Sequence, residues 1–169
     1  MNLPQIQHQL RYKQWADSRT LAATGLIDVA QFPSEMAFAC QQLNHMIRVE
    51  EVFKARLLCA PEPHTTSNSD PGLVPPLQEL VQRVSASNAW LQAYAQSLSG
   101  VALAETIRFR FLDGQQGALT REEVLFHLVN HGTYHRGAIG HVLDLAGNLR
   151  PADTYTVFIH ADQPERRDD

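Results

Sequence analysis

The chain has 169 residues, 44% of them hydrophobic and 19% charged, enough apolar material for one domain spanning residues 1–169 with a full core. Its net charge of -4 and pI near 6.0 argue against a nucleic-acid surface, and Arg108 and Arg110 alternate with apolar residues instead of forming a basic stripe. No apolar run approaches the roughly 20 residues that span a bilayer, and residues 1–8 show neither a basic start nor an apolar signal core, so the expected location is cytoplasmic.

Four helical segments follow in chain order. The first runs from about Leu3 to Leu26, with Leu3, Ile6, Leu10, Trp15, Leu21 and Leu26 among its apolar positions. The second starts after Pro33 and Ser34, read as its cap, and stops before Pro61; Leu43, Met46, Val49, Phe53 and Leu57 lie inside it. Cys40 and Cys59 both fall in this helix, 19 positions and roughly 28 Å apart along its axis, too far to pair. The stretch from Ala60 to Val74, rich in Pro, Ser, Thr and Asn, reads as a surface loop. Pro75 and Pro76 open the third helix, and Ser99 and Gly100 close it.

Ile107 to Phe111 alternates apolar and charged residues before Asp113 and Gly114, which predicts a short strand and turn. The fourth helix has the clearest start, because Thr120 and Glu123 fit a capping box. Gly147 and Pro151 mark its end. Thr154 to Ile159 reads as a second extended piece, and Glu165 to Asp169 as a frayed tail. Four long helices joined by loops predict an all-α four-helix bundle with a minor extended element near 107–111.

The fourth helix carries His127, His131 and His135 at steps of four. Such a step returns the side chain to within about 40° of the same face, so two imidazoles can grip one metal ion. No Glu follows His127, so this is not the zinc-protease motif. A third ligand must come from elsewhere. His45 shares a stripe with Val49, Val52, Phe53 and Leu57 in the second helix, and so points inward. Three buried imidazoles would each need a partner, and one divalent ion satisfies all three. The candidate ligands are therefore His45, His131 and His135.

His127 rotates toward the edge of the face and reads as a surface or supporting histidine, while His8, His64, His141 and His160 have no partner at ligand spacing. Asn130 and Glu50 lie close enough to orient a ligand, although polar helix-flank roles explain both equally well. Neutral imidazoles select Zn, Ni, Fe or Co over Mg or Ca, and three ligands leave a coordination position open. Arg136 has two readings: a structural ion pair with Asp17 or Glu50, or an anchor for a substrate carboxylate. Gly132, Gly137 and Gly140 cost helix stability and imply close packing or room for a ligand.

Taken together, residues 10–17 (Leu10 to Asp17), Gln42 to His45 with Met46 and Ile47, Phe109 to Gly114 and above all Asn130 to Gly137 resemble the DinB/YfiT-like family. This is the damage-inducible family described as metal-dependent hydrolases, distinct from the polymerase that shares the DinB name. The resemblance implies a four-helix bundle holding a divalent metal, often nickel or zinc, with one histidine from the second helix and two from the last, matching His45, His131 and His135. It also implies a homodimer packed through helices. Some relatives are transferases or isomerases that use a low-molecular-weight thiol on small-molecule substrates. The function expected on these grounds is a metal-dependent transferase or hydrolase acting on a small electrophile; the alternative is a non-enzymatic bundle in which the ion is structural or sensory.

Overall fold

A computed structural model describes residues 2–63, 74–111 and 114–167. Its elements are α1 (Leu3–Thr24), α2 (Pro33–Leu57), α3 (Leu77–Ser97), a one-turn α4 (Gly100–Leu103), β1 (Thr106–Arg110), β2 (Gln116–Thr120), α5 (Arg121–Leu145) and α6 (Tyr155–Asp162), followed by a 3-10 turn at Pro164–Arg166. The fold is mainly α with one small sheet. The long helices form the bundle: α5 packs on α1 and α2, and α3 packs on the same two from the other side. Consecutive α1 and α2 therefore do not form one of its faces, a departure from simple up-and-down order.

Local sequence explains most helix ends. Thr120 Oγ1 accepts from the Glu123 amide at 3.1 Å while Glu123 Oε2 accepts from the Thr120 amide at 2.7 Å, completing the expected capping box. Asn2 and Gln5 form a second, unforeseen one on α1. At α2 the cap position is Phe32, without a side-chain hydrogen bond, and Pro33 occupies the first turn, where its missing N–H costs nothing. The first helix stops at Thr24, two residues short of Leu26, with Gly25 as its cap. The third helix ends at Ser97, with Leu98 extended, close to the expected Ser99 and Gly100; Ser99 then caps the start of α4, its hydroxyl accepting from the Ala102 amide at 3.1 Å.

The predicted strand is β1, and its partner β2 is a strand the sequence reading lacked; the two pair antiparallel with Ile107 opposite Leu119 and Phe109 opposite Gly117. Gly117 suits this position because a Cβ there would lie 2.7 Å from the Phe109 ring. Of the turn residues, Gly114 adopts φ 86, whereas Asp113 lies outside the described residues. Most of the proposed loop from Ala60 to Val74, with His64, also lies outside them, as does the end of the proposed tail.

Two expectations are corrected. Cys59 is not in α2: it follows the helix, exposed, at φ 52, while Cys40 is buried within it, and both are free. The segment from Thr154 to Ile159 is not extended, because residues 155–162 form α6. Helical spacing instead lets Phe158 bury against Tyr12 and Trp15 while Tyr155 meets His8 Nδ1 at 2.5 Å.

The interior divides along the bundle axis. One apolar cluster contains Ile6, Leu10, Phe53, Leu57, Leu91, Val124 and Leu128. The other contains Leu21, Leu43, Met46, Leu80, Val84, Ile139 and Leu143. Between them, at mid-height of all four long helices, lie the buried polar residues Lys13, Asp17, Asn44, Glu50, Asn88, His135 and Arg136. This polar layer positions the site.

Candidate metal centre

His45 on α2 faces His131 and His135 on successive turns of α5. The α2–α5 packing brings together side chains 86 and 90 positions apart. His131 Nε2 lies 3.1 Å from His135 Nε2 and 3.3 Å from His45 Nε2, and one ligand atom from each ring lies within 4.8 Å of the other two. Metal–nitrogen bonds of about 2.0–2.1 Å at tetrahedral angles place ligand nitrogens roughly 3.3–3.4 Å apart. The observed spacing fits one ion between the three rings, with the carboxylates of the layer engaged elsewhere.

Gln42, one turn before His45, helps set the arrangement. His135 Nδ1–H donates to Gln42 Oε1 at 2.6 Å, which leaves the Nε2 lone pair aimed at the centre. The three rings are held neutral. Burial, followed by the neighbouring His135 and His45 rings, pushes His131 down to about 3. Burial and then His45 push His135 down to about 4. His45 is lowered by burial and next by the Arg48 guanidinium. An ion bound here meets no proton competition near neutral pH.

Beside the trio runs an ion-pair network that crosses the bundle. The fully buried Lys13 ammonium donates to Asp17 and Glu50 at 2.8 Å each, and to Asn88 at 2.9 Å. Asn88 Nδ2 donates to Asp17, and Ser87 Oγ to Glu50 at 2.5 Å. Burial works against each charge, yet Asp17 and Glu50 together hold the Lys13 pKa above its ordinary value, and Lys13 and Arg136 hold Asp17 below its own. Glu50 is raised, because burial and then the Asp17 charge outweigh what Lys13 returns. Glu50 is thus a partner of Lys13, not a residue orienting a ligand, and Asn130 is exposed.

Of the two readings for Arg136, the geometry is that of the ion pair. Its guanidinium is fully buried and donates to Asp17 and Asp153 at 2.8 Å each, and to Thr133 at 3.1 Å. With every nitrogen engaged, the anchor reading loses its group. Gly132 makes this possible: a Cβ there would sit 2.7 Å from Arg136 Nη1 and 3.8 Å from Lys13 Cε. Gly140 likewise makes room for Arg150. Gly137 meets nothing within 4 Å and borders a cavity of about 400 Å³ between α1, α5 and residues 150–154, which none of the three histidines lines.

His127 lies outside the convergent trio. Its ring centroid is 5.4 Å from that of His131 and 5.3 Å from that of Phe53, and burial lowers its pKa. Tyr134, three-quarters exposed, sets its ring perpendicular to His135 at 5.1 Å and borders the site on the solvent side. Two features escaped the sequence reading: the Gln42 contact and Lys13 as hub of the network. A Lys at the i–4 position to Asp17 on an apolar face was the available signal for the second. Gln42 carried no signal, since a polar residue beside a histidine has many uses.

A model of the DinB family matches residues 1–167, essentially the whole chain. No curated protein and no solved structure matches it.

Proposed function

The chain belongs to the DinB family, and on that footing we propose that it is a metal-dependent enzyme holding one divalent transition ion on His45, His131 and His135. The observation that carries the proposal is the convergence of three neutral imidazoles, with His131 Nε2 3.3 Å from that of His45 and 3.1 Å from that of His135. Such an ion, nickel or zinc as the family resemblance implies, would supply Lewis acidity that lowers the pKa of a thiol or water and polarises an electrophile. Three protein ligands leave a position open for that group. The chain's own residues prepare the site. Gln42 holds the His135 tautomer, the two apolar clusters limit water on either side, and the ion-pair network keeps α1, α2, α3 and α5 in register.

The proposed reaction joins a low-molecular-weight thiol, or water, to a small electrophilic substrate. A homodimer and a cytoplasmic location belong to the same proposal; among the described residues no helix is long and apolar enough to cross a membrane. Elemental analysis of protein purified without a metal-affinity tag is the decisive test. About one ion per chain is expected, lost in His135→Ala and kept in His160→Ala. Equal loss in both variants would mean scattered surface binding and end the proposal. Thiol panels (glutathione, bacillithiol, mycothiol) with electrophilic acceptors, run alongside simple esters and amides, then test the chemistry. Light scattering tests the dimer.

A second reading, an ion that only braces the bundle or senses metal, draws on the location of the trio in the layer between the two apolar clusters, where an ion would tie α2 to α5. Chelation separates the two. A bracing ion contributes much of the folding free energy, so its removal unfolds the chain. A catalytic ion leaves a folded, inactive protein, which is the outcome expected from a layer already cross-linked by Lys13 and Arg136.

A further inference from the structure

Hydrogen bonds fix the tautomers of two of the three rings. His135 gives its Nδ1 proton to Gln42, so its Nε2 is bare. The 3.1 Å contact from His131 Nε2 to that bare nitrogen then requires the proton on His131 Nε2. His131 Nδ1 is therefore the bare atom, and it is buried without a hydrogen-bond partner. In this state the omission is modest, since an unused acceptor is the milder kind of orphan.

A ligating His131 reverses the assignment. Its Nε2 must release the proton to present a lone pair, and a neutral ring then carries its proton on Nδ1. The orphan becomes a buried donor, a costlier defect than an unused acceptor if nothing accepts it. Lys13, whose charge reaches this ring, has no acceptor to offer. His127 does. It stands one turn toward the N-terminus, the direction in which helical side chains lean, with its ring centroid 5.4 Å from that of His131 and the planes only 31° apart. A neutral imidazole always has one bare nitrogen.

We propose that His127 is a positioning residue that accepts the Nδ1–H of His131 when His131 ligates, by a small rotation of its ring on Phe53. The role rests on the three-histidine reading above and fills the same place for His131 that Gln42 fills for His135. It sets the order of ligand strength: His135 is organised in advance, and His131 only once its proton has moved.

The test is the affinity of untagged full-length protein for Zn²⁺ and Ni²⁺, measured by chelator competition on wild type, His127→Gln and His127→Phe. Phe keeps the aromatic contact with Phe53 and removes the acceptor; Gln keeps an acceptor. His127→Phe should weaken binding by about 10–100-fold, the usual effect of deleting a ligand's hydrogen-bond partner, with His127→Gln close to wild type. Long-range ¹H–¹⁵N correlation spectra should place the His131 proton on Nε2 without metal and on Nδ1 with it. Wild-type affinity in His127→Phe would overturn the role, as would equal loss in both variants or a His131 already protonated at Nδ1 without metal. A wild-type protein that binds neither ion would overturn the functional proposal itself, and this role with it.

Discussion

Lys13→Met removes the hub of the polar layer while nearly conserving volume. The ammonium is fully buried, and its loss leaves Glu50, among the described residues, with only the Ser87 hydroxyl and Asp17 with Arg136 and Asn88. Removing one partner of a buried ion pair typically costs 3–5 kcal/mol, because the remaining charge stays desolvated. For a domain of this length each kcal/mol moves Tm by about 2–4 °C, so a fall of roughly 6–20 °C is expected. Urea titration followed by circular dichroism measures the free energy directly. The loss should also depend on pH. Glu50 already has a raised pKa, and without Lys13 it should rise further above its unfolded value, so the buried charge destabilises at neutral pH and is relieved as pH falls and Glu50 takes up a proton. Adding Glu50→Gln should recover part of the loss, and a double-mutant cycle gives the coupling. A Lys13→Met protein within about 1 kcal/mol of wild type would refute the network as a stabilising unit.

Gly132→Ala should destabilise despite an alanine helix preference of about 1 kcal/mol, because its Cβ drives against the pinned Arg136 guanidinium, whereas Gly137→Ala, facing open space, should gain up to that amount in the same urea titration. Metal-free protein should lose stability on acidification below pH 6.5: His131 and His135 titrate near 3 and 4 when folded, so the unfolded chain binds more protons across that window, and urea midpoints that do not fall between pH 6.5 and 4 would contradict their burial as neutral rings.

Helical spacing alone placed four long helices, and the Thr120 box located the start of α5 because capping is chemistry within four residues. The same local logic put His131 and His135 on one face and turned His45 inward. It misjudged Thr154 to Ile159, read as extended, where a helix over residues 155–162 buries Phe158 against Tyr12 and Trp15. Period and composition speak for a segment only when it is long enough to outvote its tertiary contacts.

What the sequence determined by itself was therefore the helical architecture, the family and the three histidines, each legible because its signal is local periodicity or a contiguous motif. Only the tertiary structure decided what those residues meet. It gave Arg136 to Asp17 and Asp153, Glu50 to Lys13, and Gln42 to His135, and left His131 Nδ1 without a partner. Nearly all of these contacts join different helices, and spacing along one helix sets the direction of a side chain, not which neighbour the packing of α1, α2, α3 and α5 will bring against it.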